Sequence, residues 1–359
     1  MLRFGVAGAR RGAALASVIA ANPRCEVVAI FDPRRERAET VAASLNIRRV
    51  ATSYEELLEA EDVDAILVAS PMPLHATQAI AALEADKHVL SEVPAIASPE
   101  EAEPLARAAA KSQGQYMMAE NMAYFAWVQA FDAMVKEGFI GEPVYGECEY
   151  VHDCRELMVE WVDGERRLTW RATQLGPAQY CTHDLGPMLQ IFGDRVESVV
   201  GMHTGCRTAP ELGAIDAEVI LCKTVKGRVI KFLGSFVNAR RPALHYFVIY
   251  GTEGVLESPR VPEEAYKMNS RKVPHAWGMV KLPLSESHPE LVGRAVEGGH
   301  GTCEWLMVED FVSAVAEGRR PPIDVYTALD WSLPGALGHQ SAEEGGVPKK
   351  VPDPRQWGY

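Results

Sequence analysis

Apolar and polar positions divide the chain into two parts with different rhythms. Up to about residue 120, uninterrupted apolar runs alternate with patterns of helical spacing. The runs predict strands at Phe4–Ala9, Val27–Phe31, Ala65–Ala69, His88–Leu90 and Tyr116–Ala119. The helical patterns cover Ala13–Ala21, Arg34–Leu45, Leu74–Ala85 and Pro99–Ser112. Because the strands show no alternation, both faces of their sheet should be covered, as in a doubly wound parallel sheet.

After this point the pattern changes to longer runs that are rich in β-branched and aromatic residues. A helix at Phe125–Lys136 comes first, and helices are also predicted near 183–192 and 304–316. The runs are Pro143–His152, Glu197–Met202, Ala217–Thr224, Val229–Val237 and His245–Gly251. Their short connections predict an open, mostly antiparallel sheet, with loops over 257–300 and an extended tail from Gly345. We therefore predict two α/β domains, 1–121 and 122–359.

Composition narrows the classes of partner. The chain has 359 residues and a formal net charge of −13, which disfavours nucleic acid and anionic membranes. No apolar run approaches a membrane span, and the start of the chain does not resemble a signal peptide, so we expect a cytoplasmic protein. Seven scattered cysteines without a C-x-x-C pair indicate reduced thiols. Two His-Asp dipeptides, at 152–153 and 183–184, lack metal-ligand spacing, so no metal is predicted.

A glycine turn follows the first predicted strand. The stretch consists of Gly8, Ala9, Arg10, Arg11 and Gly12, and a helical pattern comes next. A strand, a glycine turn and a helix in this order are typical of a dinucleotide-binding Rossmann domain. Compared with G-x-G-x-x-G, Gly8 fits the first position and arginine occupies the second. Either the alanine at 13 takes the third position, or the loop is one residue shorter and Gly12 closes it.

Two further features of this half indicate a nicotinamide cofactor. Asp32 ends the second strand, where a carboxylate can bind the ribose 2′-hydroxyl and would repel a 2′-phosphate. NAD is therefore favoured over NADP, although Arg34 and Arg35 follow closely. Ser70 and His75 follow the third strand, at the edge where such sheets bind cofactors. His75 either faces the nicotinamide or merely caps a helical turn.

A phenol and an imidazole stand three residues apart at the head of an apolar helical run. Tyr180 and His183 share one face of a helical turn, so both can point into one cavity. Imidazole is a good base near neutral pH, and a phenol can donate a hydrogen bond to an oxyanion. The two residues are therefore candidates for an acid/base pair, although a histidine at a helix start can also be purely structural.

Several motifs together resemble the glucose–fructose oxidoreductase/inositol dehydrogenase (Gfo/Idh/MocA) superfamily. They are the glycine turn, Asp32, the Ser-Pro…His turn, His88-Val-Leu-Ser-Glu92-Val93-Pro94, and the tail Gly345-Gly-Val-Pro…Val351-Pro-Asp353. The resemblance covers nearly the whole chain. It implies a Rossmann domain that binds a nicotinamide cofactor, here 1–121, followed by an open-faced α/β domain for substrate binding and oligomerisation, here 122–359. The implied substrate is a sugar-like carbinol. One departure matters, because Val93 stands where the family has a lysine that assists proton transfer.

Other motifs resemble the NAD-dependent α-N-acetylgalactosaminidases, a glycosidase branch with the same fold. The resemblance implies that NAD⁺ takes a hydride from C3 of the sugar, the neighbouring proton is removed, the aglycone is eliminated, water adds and the hydride returns. Position by position it places Glu120, Tyr150, Tyr180 and His183 on catalytic motifs. Cys181 and Asp184 depart from that branch, where small or turn-forming residues occur.

The sequence leaves three hypotheses open. The leading hypothesis is an NAD-dependent oxidoreductase acting on a carbohydrate or polyol hydroxyl, with His183 and Tyr180 in place of the family lysine. The second is the redox-neutral glycosidase or lyase, and the third is a non-catalytic nucleotide-binding or regulatory protein. The apolar character of both faces of the open sheet also predicts a homo-oligomer, a dimer or a tetramer. The predicted cofactor-binding residues are Gly8, Ala9, Arg10, Arg11, Gly12, Asp32, Ser70, His75, Glu92 and Asn121.

Overall fold

A computed structural model describes residues 1–273, 278–282 and 302–358. Packing divides the chain into two compact units. Unit 1 comprises Met1–Tyr124, Ser287–Leu329 and Asp353–Tyr359, and unit 2 comprises Phe125–Glu286 and Asp330–Pro352. The first change from unit 1 to unit 2, between residues 124 and 125, is close to the predicted domain boundary at 121/122. Two later segments of the chain also belong to unit 1, which the prediction did not include. The functional assignment of 122–359 to substrate binding stays a prediction.

The strands, in chain order, have the following bounds. They are β1 Leu2–Ala7, β2 Cys25–Phe31, β3 Arg49–Val50, β4 Ala65–Val68, β5 His88–Ser91, β6 Tyr116–Met118, β7 Pro143–Val151, β8 Val159–Val162, β9 Glu165–Leu168, β10 Val196–His203, β11 Glu218–Thr224, β12 Val229–Ser235, β13 Leu244–Gly251, β14 Gly254–Glu257, β15 Lys267–Ser270, β16 Val280–Lys281 and β17 Lys349–Lys350.

The α-helices are interspersed with short 3₁₀ turns. They are α1 Ala9–Ala21, α2 Arg35–Leu45, α3 Tyr54–Glu59, α4 His75–Glu84, α5 Ala102–Lys111, α6 Ala126–Lys136, α7 Trp170–Thr173, α8 Thr182–Phe192, α9 Thr302–Glu317 and α10 Val325–Glu343. A search of the described residues finds no helix that combines the length and the apolar character needed to cross a bilayer.

Unit 1 is built on a parallel sheet with strand order β3-β2-β1-β4-β5-β6. Its central strand β4 is buried at every position, which explains why its sequence is an unbroken apolar run. The order reverses between β1 and β4, so the loops that follow these two strands lie side by side at the carboxyl edge. This is the place where open parallel sheets bind ligands.

Unit 2 is built on a mixed sheet with strand order β16-β15-β14-β13-β7-β12-β11-β10-β17. Its pairs are antiparallel, except that β12 and β7 run parallel. Helix α8 packs on one face, where a Cβ added to Gly146 of β7 would lie 2.9 Å from the sulfur of Met188. Helix α10 approaches β10 so closely that a Cβ on Gly201 would lie 2.1 Å from the carbonyl oxygen of Gly338. The predicted α/β architecture is thus confirmed.

The structure corrects the predicted elements at several points. β3, α3, the hairpin β8–β9 and α10 were not predicted at all. The predicted loop over 257–300 contains β15 and β16, and its residues 274–277 and 283–300 lie outside the described residues. Helix α1 begins at Ala9, four residues before the predicted start, because the helix follows directly on Gly8.

Candidate active site

The glycine turn of unit 1 is held in a conformation that suits glycine. Gly8 has a φ of +96°, and a Cβ there would lie 2.5 Å from the carbonyl oxygen of Ala69. The turn after β1 therefore passes against the turn after β4, backbone to backbone. Helix α1 begins at the next residue. The first N–H groups of a helix have no intrahelical partner, so this turn can receive a pyrophosphate.

The packing of Gly12 favours one of the two glycine alignments. A Cβ at this position would lie 3.0 Å from the Val6 side chain and 3.2 Å from the Cβ of Ala69. Gly12 therefore lets α1 pack closely on the sheet, which is the role of the closing glycine in dinucleotide-binding turns. Arg10 is exposed to solvent. The shorter-loop alternative is the one that the packing supports.

Asp32 lies at the carboxyl end of β2 and is only 7% exposed. Its Oδ2 accepts a hydrogen bond from the Ala9 N–H at 2.8 Å, and its Oδ1 accepts from the Arg34 N–H at 2.9 Å. Two carboxylate oxygens offer about four acceptor sites, so capacity remains for ribose hydroxyls. The same hydrogen bonds fix the carboxylate at the start of α1.

Arg11 connects the glycine turn to two carboxylates that are distant in sequence. Its Nε lies 2.6 Å from Glu92 Oε1, and its Nη2 lies 2.5 Å from Glu304 Oε1. Burial opposes the charged guanidinium, but the two carboxylates outweigh it and raise the pKa of Arg11. Both partners are buried, so Arg11 is held as a structural link between the turn, the loop after β5 and α9.

The other predicted cofactor residues occupy the same edge of unit 1. His75 is buried, with Nδ1 2.8 Å from the Pro94 carbonyl oxygen and Nε2 2.9 Å from the Ser70 carbonyl oxygen. Burial lowers its pKa, and the two carbonyls oppose that shift. Both ring nitrogens of His75 are thus occupied within unit 1. Its contact with a cofactor stays a prediction.

Asn121 provides a test of whether unit 1 fits a nicotinamide cofactor. The residue is 3% exposed, and its Oδ1 is a buried acceptor without a hydrogen-bond partner among the described residues. Such an atom normally has a donor, and a carboxamide N–H would supply one. Together with the helix N-terminus and Asp32, this observation indicates that unit 1 fits NAD.

Unit 2 brings three of the predicted catalytic residues together. The ring centroids of Tyr180 and His183 are 5.4 Å apart, and those of Tyr150 and His183 are 5.6 Å apart, both in edge-to-face orientation. Tyr150 and Tyr180 are 6.5 Å apart. The spacing argument therefore placed Tyr180 and His183 correctly on one side of the turn. Phe236 packs edge-on against both tyrosine rings.

Local structure explains how this ring cluster is positioned. Tyr180 ends a 3₁₀ turn that Pro177 begins, and His183 lies in the first turn of α8. The buried carboxylate of Glu218 accepts a hydrogen bond from the Ala178 N–H at 2.7 Å and also contacts His339 Nδ1 at 2.9 Å. Glu218 thus anchors the turn to β11.

The electrostatics of the cluster follow from burial and one cation. Burial, followed by the neighbouring Tyr180, raises the pKa of Tyr150 well above its usual value, so Tyr150 stays a neutral donor. Arg171 lies with its guanidinium carbon 5.3 Å from the Tyr180 ring centroid. Burial alone would lower the pKa of Arg171, but electrostatic attraction and a hydrogen bond to Tyr180 act in the opposite direction, and the pKa of Arg171 is raised. Burial, then His245 and Arg171, lower the pKa of His152.

Glu120, the fourth predicted catalytic residue, lies in unit 1 and is fully buried. Its Oε1 accepts a hydrogen bond from the Met122 N–H at 3.2 Å. Within the described parts of the chain, no group of three or more His, Cys, Asp or Glu side chains is arranged to bind a metal.

The sequence did not single out His245, whose ring stacks on Tyr150 at 4.3 Å. Nor did it assign a role to His152, whose Nδ1 lies 3.2 Å from the Tyr150 hydroxyl. His152 and His245 lie on the same face of the sheet as Tyr150, as the alternation of side chains along their strands requires. A sequence shows this alternation within one strand, but it does not show which residues of another strand lie opposite.

Comparison with known proteins gives the class of the protein. Residues 2–120 match the oxidoreductase family with an NAD-binding Rossmann fold, and residues 128–257 match the GFO/IDH/MocA C-terminal domain. Residues 196–357 match the C-terminal domain of glycosyl hydrolase 109. The glycine turn and Asp32 lie in the first of these regions, so the N-terminal domain binds NAD and the chain is an NAD-dependent enzyme of the Gfo/Idh/MocA superfamily.

The relatives point to one branch of that superfamily. A glycosyl hydrolase family 109 protein of Streptomyces filamentosus is 30% identical over 386 residues, which cover 98% of this chain and 77% of the relative. A family 109 protein of Solibacter usitatus is 29% identical, covering 98% and 88%. The chain belongs to glycosyl hydrolase family 109.

Solved structures show the same fold at lower identity. An oxidoreductase domain protein from Kribbella flavida has a TM-score of 0.83 at 24% identity and covers 98% of this chain and 99% of its own. A levoglucosan dehydrogenase in complex with NADH and L-sorbose has a TM-score of 0.83 at 20% identity, covering 99% and 100%. These likenesses support the fold alone.

Proposed function

We propose that the protein cleaves a glycoside by a redox-neutral, NAD-dependent reaction. The observation that carries this proposal is the ring cluster of Tyr150, Tyr180 and His183, in a family 109 chain whose Val93 is 2% exposed. Valine cannot transfer the proton that the superfamily's lysine transfers, whereas the cluster offers two phenols and an imidazole. The sequence alone favoured net oxidation of a carbinol; family membership makes the redox-neutral cycle the better proposal.

NAD, when bound, supplies a reversible hydride acceptor for a carbinol carbon of the sugar. Gly8, Asp32 and Asn121 are the residues that would hold it. Gly8 would let the backbone approach the phosphates, and Asp32 would accept hydrogen bonds from the ribose hydroxyls. Asn121 would accept a hydrogen bond from the carboxamide through its buried amide oxygen. Arg11 acts indirectly, because its guanidinium is already paired with two carboxylates.

The ring cluster would carry out the proton transfers. A glycoside cleaved by this route loses a hydroxyl proton and a proton from the carbon next to the new carbonyl, and its leaving oxygen gains one. His183 is assigned as the base, since imidazole accepts and returns protons near neutral pH. Tyr150, kept neutral by burial, donates a hydrogen bond to the carbonyl oxygen. Tyr180, whose ring centroid lies 5.3 Å from the Arg171 guanidinium carbon, is assigned to exchange a proton with His183.

Glu120 is assigned an orienting role. It is fully buried in unit 1, and a carboxylate in such a setting can accept hydrogen bonds from substrate hydroxyls. Its contribution is part of the proposal and does not follow from its contacts within unit 1.

A product analysis tests the proposed reaction. With p-nitrophenyl glycosides, including the α-N-acetylgalactosaminide, we expect release of p-nitrophenol without accumulation of NADH. In D₂O the sugar product should carry deuterium at the carbon next to the oxidised one, because its proton exchanges with solvent. Stoichiometric NADH with an intact glycosidic bond would instead establish a dehydrogenase and contradict the proposal.

Asp32 should decide between NAD and NADP. We expect calorimetry to show tighter binding of NAD, and Asp32→Ala to weaken it by about 10–100-fold, which corresponds to one or two lost hydrogen bonds to a charged acceptor. Since alanine also removes the acceptor for the Ala9 N–H, Asp32→Asn serves as the matched variant. It keeps an acceptor without the charge, so it should narrow the preference for NAD over NADP. Equal NADP binding by the wild type would contradict this role.

The outward face of the sheet in unit 2 should form a homo-oligomer. Leu221 of β11 is 45% exposed and Tyr250 of β13 is 47% exposed, on the face opposite to α8 and α10. We expect light scattering at micromolar concentration to show the mass of a dimer or a tetramer. Leu221→Glu should lower the measured mass of this oligomer. Val225→Glu is the control, because this residue is 50% exposed but lies at the tip of the β11–β12 turn. A monomeric wild type would contradict the prediction.

A further inference from the structure

Asp184 and His245 form a carboxylate–imidazole pair inside unit 2. The His245 Nδ1 lies 3.0 Å from Asp184 Oδ2 and 3.3 Å from Asp184 Oδ1. Asp184 lies in the first turn of α8 and is fully buried, whereas the His245 side chain, on β13, is 26% exposed. The pair therefore has a buried anionic end and an accessible imidazole end, which is the arrangement found where a carboxylate orients a catalytic histidine.

The accessible end lies against the ring cluster. The His245 ring stacks on Tyr150 at 4.3 Å and lies nearly perpendicular to His183, with centroids 6.1 Å apart. The titratable groups around it are Tyr150 and His152 from β7 and its end, and His183 and Asp184 from α8. The influence of His245 on the pKa of His152 reflects the same proximity.

Hydrogen-bond chemistry assigns the proton on the ring. When Asp184 is ionised, its oxygens only accept hydrogen bonds, and the His245 Nδ1 then carries the hydrogen. In the neutral ring the lone pair is then on Nε2. Within the described part of the chain, Nε2 of His245 makes no hydrogen bond. The pair thus presents one acceptor atom, on a ring that stacks on Tyr150 and whose centroid lies 6.1 Å from that of His183.

We propose that His245, oriented by Asp184, is a second proton-transfer residue that works beside His183. This inference rests on the proposed function, which requires protons to leave a hydroxyl oxygen and a neighbouring carbon. Two imidazoles 6.1 Å apart can serve two such atoms of one sugar ring. His245 Nε2 takes the hydroxyl proton: the O–H bond breaks, an N–H bond forms, and the electron pair stays on oxygen. The imidazolium, whose Nδ1–H faces the Asp184 carboxylate, returns that proton to the same oxygen at the end of the cycle.

Nitrogen-15 NMR of the full-length protein tests the orientation without any substrate. The NMR signals of the His245 ring are identified by their absence from the spectrum of His245→Gln. In the wild type at a pH where the ring is neutral, we expect the Nδ1–H tautomer, and in Asp184→Asn we expect that preference to be reduced. A wild-type ring in the Nε2–H tautomer would overturn the proposal, whatever the reaction turns out to be.

Kinetics test the catalytic role. We expect His245→Gln to lower kcat by about 10²–10⁴-fold, as for loss of a general base, and Asp184→Asn to lower it at least about tenfold through the wrong tautomer. The double variant should be no slower than His245→Gln, because the two residues act as a unit. If the activation free energy lost in the double variant equals the sum of the losses in the two single variants, the residues act through separate structural effects and the proposal is overturned.

A matched control separates this pair from other histidine–carboxylate pairs. His203 ends β10, and its Nε2 lies 3.1 Å from Oε1 of Glu343 at the end of α10. His203 is not a member of the ring cluster, so His203→Gln should leave kcat unchanged. If Asp184→Asn does not fold, His245→Gln still tests the catalytic role, because the His245 side chain is partly exposed. If the wild type releases no aglycone, the proposed function fails, while the tautomer measurement still decides whether Asp184 orients His245.

Discussion

Replacing His183 with alanine should lower kcat by about 10²–10⁴-fold, the usual effect of losing a general base, while NAD affinity stays nearly unchanged. The ring of His183 contacts both Tyr150 and Tyr180 edge-on, and Val93 offers no alternative base. NAD is predicted to bind at the glycine turn of unit 1, whereas His183 belongs to unit 2. The loss should therefore affect the chemical step.

Steady-state rates on a verified substrate and calorimetric titration with NAD measure the two quantities separately. His203→Ala is the matched control, since it removes a histidine of unit 2 that pairs with Glu343 and lies outside the ring cluster. Near-normal turnover of His183→Ala would show that the catalytic assignment is wrong. Tyr180→Phe, which keeps the ring and removes the hydroxyl, then distinguishes proton transfer from packing.

Gly8→Ala should be among the most damaging substitutions in unit 1. Its φ of +96° disfavours an L side chain, which costs about 1–2 kcal/mol. The new Cβ would also lie 2.5 Å from the Ala69 carbonyl oxygen, a backbone atom that cannot turn aside. The turn after β1 must then separate from the turn after β4, so we expect a lower melting temperature and at least about tenfold weaker NAD binding.

A second glycine separates the two contributions. Gly227 has a φ of +80°, and a Cβ there would meet nothing within 4 Å. Gly227→Ala should therefore show the dihedral cost alone, without any change in NAD affinity. Thermal unfolding and calorimetry of both variants give the comparison. Wild-type NAD affinity in Gly8→Ala would show that the cofactor does not depend on this turn.

Much of the fold could be predicted from the sequence because burial determines the pattern of its strands. The fully covered strands of unit 1 are unbroken apolar runs, and each was found within a few residues of its observed bounds. β8–β9 was missed for the opposite reason: its residues Glu165–Leu168 are all exposed, so no apolar pattern marks them.

Helix α10 shows a different limit. It is buried on most sides, so it has no polar stripe to reveal its period. It also contains Pro334, Gly335 and Gly338, which usually indicate a break. In the structure these glycines are contact points: a Cβ on Gly335 would lie 2.2 Å from the Ala178 carbonyl oxygen. Tertiary packing explains them, and local sequence does not contain that information.

The candidate site divides in the same way. Tyr180 and His183 are neighbours along one turn, so their spacing sufficed to predict that their rings share one side. His245 and Asp184 are 61 residues apart, and only the pairing of β13 with β7 and the position of α8 bring them together. Such a contact depends on sheet register, which a single sequence does not specify.

The discontinuity of unit 1 has a consequence for how the chain is made. Residues 1–124 leave the ribosome well before α9 is synthesised, yet Phe4 of β1 is fully buried and its ring lies 6.0 Å from that of Phe311 in α9. The backbone N–H of Met118 in β6 likewise donates to the carbonyl oxygen of Ile323. Part of the apolar surface of the nascent dinucleotide-binding region therefore stays uncovered until α9 has been synthesised, and these contacts between distant residues raise the contact order of the fold.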